Sequence, residues 1–241
     1  MDESRTILSE ADQLRHEELW GREDYFQNAR KPVGEDGRIM IRRMNGGSHA
    51  QLAAWGFSLL DGIAGGPDRC SPQPEAILDA GCGGGANLAR WMERCPDAHL
   101  TGLDFSPVSI DESRRFNSAE IAAGRCTVVQ GDVMDMPFAD DTFDCVSAFE
   151  TVYFWPDIAR AFDQVKRALR PGGIFFICNE SDGKDQPAID ASRIIRGMKL
   201  YTAEDLRHHL QQAGFHQIEI LTLPGTHFLA AIAKKLLPSQ D

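Results

Sequence analysis

Four glycines fall within five positions of one stretch, Gly81-Cys82-Gly83-Gly84-Gly85, between Ile77-Leu78-Asp79-Ala80 and Ala86-Asn87-Leu88. A short apolar run ends in an acid, the glycines follow, and then comes an amphipathic run. In that run Leu88, Trp91 and Met92 are apolar, and Arg90, Glu93 and Arg94 are polar. The pattern reads as strand, tight turn, helix. Glycine is required where the backbone takes positive φ, or where a ligand must approach without meeting a Cβ. The helix start that follows offers unpaired N–H groups to an anionic group. The stretch is therefore a small-molecule cradle at the carboxyl end of a first strand.

Two ligand classes fit the glycines. Gly81-x-Gly83-x-x-Ala86 matches the dinucleotide fingerprint, with Asp104 at a plausible distance for a ribose acid. The same turn suits S-adenosylmethionine (SAM). Asp79 favours SAM, because a carboxylate at the strand end would meet the cationic amino group of its methionine part and would repel a pyrophosphate.

Composition narrows the classes further. The chain has 241 residues, 42% of them apolar, enough for one full core with an appendage. A net charge of −11 argues against nucleic acid, which needs a basic footprint. The charged start, Met1 to Asp24, lacks a signal-peptide core, and no run is long enough to span a membrane. The six cysteines form no CxxC pair, so buried, reduced thiols in a cytoplasmic protein are expected. No HExxH occurs among the seven histidines. His208 and His209, adjacent on a helix, point about 100° apart, and no metal is expected.

In chain order, residues 10–30 read as helix, with Leu14, Leu19 (or Trp20), Tyr25 and Phe26 as the apolar side. Residues 31–37 read as loop, 38–44 as a short helix, and Ser48 as the cap of a helix through Leu52, Trp55, Leu59, Leu60 and Ile63. A Pro/Gly-rich linker at 65–74 sets the expected division: a helical lid at 1–65 and the main domain at 66–241. Thereafter strands near 98–104, 126–130, 143–149 and 174–178 alternate with helices at 107–123 and 158–169. That alternation implies a parallel sheet with right-handed crossovers. The tail adds a helix from Thr202 to Gln212 and two strands, 218–223 and 227–233, joined at Pro224-Gly225. The fold expected is α/β: a Rossmann-like seven-stranded sheet, mostly parallel with one antiparallel strand, helices on both faces, and a helical N-terminal lid.

Several blocks arrive in a telling order. They are Leu78-Asp79-Ala80-Gly81-Cys82-Gly83-Gly84-Gly85, Leu103-Asp104-Phe105-Ser106, Gly131-Asp132-Val133-x-x-Met136-Pro137-Phe138, Phe143-Asp144-Cys145-Val146 and Leu169-Arg170-Pro171-Gly172-Gly173. Together they resemble class I SAM-dependent methyltransferases, specifically the small-molecule branch similar to the ubiquinone/menaquinone-biosynthesis type, over roughly residues 75–234. The resemblance implies SAM as cofactor and S-adenosylhomocysteine as product. Its cofactor contacts would be Asp79, Gly81, Cys82, Gly83, Asp104 (ribose diol), Phe105, Asp132 (adenine amino group), Val133 and Phe149. Read from the residue alone, Cys82 is a small filler and not a nucleophile. Asp132 has the alternative role of capping the following turn.

Ligands in open parallel sheets lie outside the carboxyl ends of the strands. Glu150 follows strand four and Glu180 follows strand five; the resemblance implies that these strands are neighbours, so the two acids should converge at the acceptor end. His49, with Tyr25, Met40, Met44 and Trp55, is expected to face the pocket from the lid, and His49 joins the two glutamates as a catalytic candidate. Carboxylates among Phe149, Tyr153, Phe154 and Trp155 suit a cationic or amine-bearing acceptor, or a general base. The partner expected is a small-molecule methyl acceptor, bound by a monomer or homodimer. Two other functions compete: a SAM-binding module without chemistry, and an NAD-dependent reductase. The latter would carry Tyr-x-x-x-Lys, whereas Tyr25, Tyr153 and Tyr201 are followed four residues later by Ala29, Asp157 and Asp205.

Overall fold

Strand β1 (Ala76–Ala80) pairs in parallel with β2 (His99–Asp104) on one side and β4 (Phe143–Phe149) on the other. The computed structural model describes residues 8–63 and 74–237, so nearly all of the expected linker, with Cys70, lies outside the described residues. With β3 (Cys126–Gln130), β5 (Leu169–Asn179), β6 (His216–Thr222) and β7 (Leu229–Lys234), the sheet order is β3-β2-β1-β4-β5-β7-β6. Strand β7 runs antiparallel to both β5 and β6, so one strand of the seven is reversed. The direction of succession changes between β1 and β4, which opens a crevice at their carboxyl ends.

Each face of the sheet is covered by helices with one apolar side. Helix α8 (Ile158–Ala168) buries Ile158, Ala161, Phe162, Val165 and Ala168, and Asp157 caps it through the Arg160 N–H (3.1 Å). It packs with α10 (Ala203–Gln212) against Phe175 and Ile177 of β5. Burying each large apolar side chain contributes about 1.5–3 kcal/mol. The opposite face carries α4 (Gly47–Ile63), α5 (Ala86–Arg94) and α6 (Pro107–Phe116). Leu52, Phe57, Leu88, Trp91 and Ile110 from these helices meet Phe149 and Phe176 of the sheet. Helix α4, expected in the lid, thus shares the core of the sheet. Among the described residues, α1 (Glu10–Leu19), α2 (Glu23–Phe26), a single 3-10 turn at Gln27–Ala29 and α3 (Gly34–Met44) lie before it in the chain.

Local differences from the sequence reading have local causes. The helix expected over 10–30 breaks at Gly21, where φ is +93°. Leu19 and Tyr25 are buried, while Leu14 and Trp20 face solvent. Helix α3 starts at Gly34, one turn earlier than expected, and Ser48 sits inside the first turn of α4. The helix after β2 stops at Asn117, whose buried amide donates to the carbonyls of Gly85 (3.0 Å) and Ser113 (3.1 Å), and a short α7 (Ser118–Ala122) follows. Strand β5 begins five residues early, at Leu169, and runs through Pro171-Gly172-Gly173 with a register shift. Helix α9 (Gln186–Ile194), with Asp185 as its cap and Pro187 in its first turn, was not anticipated.

The N-terminal helices are tied to the sheet domain by one buried charge. Glu112 of α6 is 2% exposed and accepts from Arg42 twice (both 3.0 Å), from Arg115 (3.0 Å) and from Arg38 (3.3 Å). Arg42 also reaches Asp12 of α1 (3.1 Å). Burial alone would raise the Glu112 pKa, but the Arg42 hydrogen bonds and the charges of Arg115 and Arg42 outweigh it and hold it below the ordinary range. Such a carboxylate stabilises the fold above its unfolded pKa of about 4.3, and that contribution is lost as pH falls through the folded value. Arg42→Met should therefore cost about 1.5–3 kcal/mol in denaturant titrations at neutral pH, and the deficit should shrink as the pH is lowered into the acid range. An equal deficit at all pH values would exclude Glu112 as its source.

Candidate active site

At the end of β1 the backbone turns on glycine. Gly81 has φ +84°, and the N–H groups of Gly81 and Cys82 donate to the Leu103 carbonyl (2.7 and 3.0 Å). A Cβ at Gly81 would lie 2.2 Å from Thr151 Oγ1, so the crossing with the end of β4 admits no side chain. Gly83, at φ +50°, would meet nothing with a Cβ; its bare backbone faces open space. Helix α5 starts at Ala86 with no side-chain cap, which leaves its first N–H groups available.

Above this turn lies a cavity of about 250 Å³, at the crevice between β1 and β4. Its walls include Gly81, Cys82, Gly83, Phe105, Val133 and Phe149, each expected there from the sequence. Asp104 also lines it. Its Oδ2 accepts from the Gly83 N–H (3.0 Å) and its Oδ1 from the Ser106 N–H (2.9 Å), and the Ser109 side chain and Phe105 backbone also bond to the carboxylate. Burial raises its pKa against these hydrogen bonds. Asp132 borders the cavity but is exposed, and its Oδ1 accepts from the Met134 N–H (2.9 Å), the turn-capping alternative. Cys82 is a buried thiol 3.9 Å from Ser113 Oγ.

Asp79 is placed differently from the expectation. It is 1% exposed and lies beneath the cavity, outside its walls, where its carboxylate accepts from Ser147 Oγ (2.7 Å). Strand alternation turns its side chain into the sheet packing instead of toward the ligand. From the cap, Met44 and His49 reach the cavity, while Tyr25, Met40 and Trp55 do not. Tyr25 and Met40 pack with Leu19 in a small cluster of their own, and Trp55 lies against Phe228.

The two glutamates and the histidine do come together. His49 Nε2 stands 3.8 Å from Glu150 Oε2 and 3.6 Å from Glu180 Oε2. Glu150 Oε1 accepts from the Glu180 N–H and Oε2 from the Tyr153 hydroxyl. Glu150 holds φ +57°, a strained value for a residue with a side chain and one met mostly at functional positions. Burial, then the neighbouring Glu180, pushes its carboxyl up to about 8. Burial pushes the His49 ring down; Glu180 opposes this and Arg43 adds to it.

The sequence reading missed several wall residues. Asn87 and Arg90, three apart on α5, face the cavity and bond to each other (2.8 Å). That spacing past the glycine turn was the available signal. Arg30 and Asn45 join them from the cap side, Asn45 donating to the Gly84 carbonyl (3.3 Å). No spacing marks these two, since they meet the site across the fold.

A family model described as "Methyltransferase domain" matches residues 78–177. Among curated proteins, the chain is 33% identical over 158 residues to an O-methyltransferase, cnsE, of Penicillium expansum, covering 63% of this chain and 56% of that one. It is 32% identical over 126 residues to the sterol 24-C-methyltransferase erg6 of Aspergillus fumigatus, covering 52% and 33%. The chain thus spans about half the first relative and a third of the second. Among solved structures, a geranyl diphosphate C-methyltransferase from Streptomyces coelicolor A3(2), in complex with Mg2+, geranyl-S-thiolodiphosphate and S-adenosyl-L-homocysteine, superposes with a TM-score of 0.60 at 15% identity. It covers 76% of either chain. The [4+2]-cyclase SpnF superposes at 0.55 with 20% identity, covering 68% and 76%. These structural likenesses establish the fold.

The buried Asp79 yields a pH test. Burial, with the charge of Asp104 adding to it, raises its pKa to about 7 despite the Ser147 hydrogen bond. A raised acid contributes full stability below its unfolded pKa of about 3.9, and loses it as pH rises toward the folded value. Thermal melts should therefore show Asp79→Asn matching wild type near about pH 4 and exceeding it near about pH 8. A pH-independent difference would mean that Asp79 is ionised throughout.

Proposed function

We propose that the chain is a class I SAM-dependent methyltransferase that transfers a methyl group from SAM to a small-molecule acceptor, a reading supported by its matched domain and its sheet order. The observation that carries the proposal is the cavity itself. The matched domain supplies its glycine turn, Asp104, Val133 and Glu150. SAM brings an electrophilic methyl on a sulfonium, which departs as a neutral sulfide.

The chain's own residues fit that cofactor. The open face of Gly83 admits its methionine part against bare backbone. The uncapped start of α5 offers N–H groups to its carboxylate, with Arg90 near by. Asp104, which lines the cavity, is the acceptor for a ribose diol, and Phe105 with Val133 is the wall for adenine. Glu150 and His49 then border the end where the acceptor enters. Transfer is an in-line displacement, so the work of the protein is placement of two groups.

We take the ubiquinone/menaquinone-biosynthesis type as the branch and the helices of residues 10–44 as the cover of the acceptor end. No helix among the described residues is long and apolar enough to cross a membrane. The five described cysteines are buried and stand outside any disulfide, which supports a cytoplasmic site of action. The likeness to a cyclase of the same fold keeps a second reading in view, a SAM-binding protein that transfers no methyl group.

Calorimetric titration with S-adenosylhomocysteine tests the cofactor assignment. Wild type should bind in the micromolar range or tighter and should ignore NADH. Asp104→Ala should lose about 2 kcal/mol, roughly 30-fold in affinity. An unchanged affinity would remove Asp104 from the site. Turnover of labelled SAM with a panel of hydroxyl- and amine-bearing metabolites then separates the transferase from the binding module.

A further inference from the structure

His49, Glu150 and Glu180 come from three separate elements: the first turn of α4, the end of β4 and the end of β5. One ligand atom from each lies within 4.8 Å of the others. All three present lone pairs. Glu150 Oε2 already accepts from Tyr153, and Glu180 Oε1 is shut off from solvent with no hydrogen-bond partner. The backbone of Met44 offers an acceptor to the His49 ring. A neutral ring that donates there keeps its Nε2 lone pair, the atom that faces the two carboxylates. The junction therefore has acceptors from three sides and no protein cation among them. Arg43 and Arg90 act on the His49 ring only through their charge.

We propose that these three side chains form a binding site for one first-row divalent cation, a role for which the sequence spacing gave no sign. Distance separates this occupant from an ammonium group. Donors about 2.1 Å from one metal at tetrahedral angles stand about 3.4 Å apart. Acceptors that each bond an ammonium at about 2.9 Å stand about 4.7 Å apart at the same angles. The separations of His49 Nε2 from the two carboxylates, 3.6 and 3.8 Å, lie near the first value. One imidazole nitrogen and two carboxylates form a donor set for Mn2+, Fe2+ or Zn2+, since imidazole disfavours Mg2+ and Ca2+ and the site lacks thiolate. Three protein ligands leave a position open, and His49 and Glu150 both border the cavity.

The site also joins α4 to the strand ends. A second group, Asp182, Asp185 and His227, has comparable spacing, but its atoms are spoken for. Asp182 accepts from His227 (3.2 Å) and Lys184 N–H, and Asp185 caps α9 through Ala188 N–H (2.9 Å). It serves as the control.

The test uses the whole protein, freed of metal with EDTA and exchanged into chelator-free buffer. MnCl2 is titrated in while the electron paramagnetic resonance signal of free Mn2+ is followed, and ZnCl2 is then added in competition. One equivalent should bind per chain. His49→Gln and Glu180→Gln should each weaken binding at least tenfold, and Asp182→Asn should leave it unchanged. Circular dichroism and S-adenosylhomocysteine affinity at wild-type values show that the variants remain folded. His49 is part-exposed, so its variant stays informative if Glu180→Gln unfolds. No saturable binding, or wild-type binding by a folded His49→Gln, overturns the proposal. The cation count does not depend on the methyltransferase reading: loss of cofactor binding in the wild type would sink that reading alone.

Discussion

The Thr151 side chain fills the space that a Cβ on Gly81 would need, and the rest of the site depends on that contact. Gly81 closes β1 and Thr151 follows β4, so the two strand ends at the crevice are wedged together. Trp155 donates to Thr151 Oγ1 (3.2 Å) and fixes the hydroxyl that fills the space. On one side of the wedge lies the glycine cradle. On the other lies Glu150, one residue before Thr151, with its backbone held at positive φ. Such a conformation costs on the order of 1–3 kcal/mol and persists only where the surroundings over-determine it. Here they are the wedge, the Tyr153 hydroxyl and the Glu180 N–H. Cradle and acceptor end are therefore one mechanical unit.

The covering helices answer to a different force. Helix α4 is held by apolar burial, with Phe57 stacked on Phe149 at 5.2 Å, and Gly56 lets it approach Cys178 closely. Helix α3 is held by charge, through Arg38 and Arg42 on a glutamate that water does not reach. Gln27 adds bonds to the Ile194 carbonyl (2.9 Å) and from the Arg196 N–H (3.1 Å), which joins the cap to the far rim near α9. The apolar contact is insensitive to pH and salt. The ionic one is buried enough to escape most screening, yet it depends on Glu112 staying ionised.

What the sequence made legible follows physical range. The sheet could be read because each strand is a local apolar run and the crossovers have one hand. Glu150 and Glu180 could be placed side by side from strand order alone. Asp79 shows the limit of that reasoning. Its position at the end of β1 was right, but which way its carboxylate points is set by strand parity against Ser147, a partner on another strand. Asp132 shows the opposite limit, since the local turn bond to Met134 was open from the start and is the bond formed. The Arg42–Glu112 pair, the Gly85–Asn117 bond and the approach of His49 to the glutamates all join distant segments, and no periodicity encodes them.

The proposed methyl transfer asks for little proton chemistry and much placement, and the charge layout around the cavity is suited to that. Arg90 and the uncapped start of α5 lie at the end where a carboxylate would sit. Glu150 borders the same cavity with Glu180 at its back, and Phe149 and Phe154 form apolar wall beside it. In the proposed reading, a zwitterionic, sulfonium-bearing cofactor laid between them would have its anionic end at the cationic wall and its positive sulfur toward Glu150 and Glu180. Opposed fields of this kind orient a ligand before any close contact forms, because both gradients act on the whole molecule. The close contact of Gly81 with Thr151 joins the glycine turn to the strand end that carries Glu150, so the two walls of the cavity share one junction of backbone.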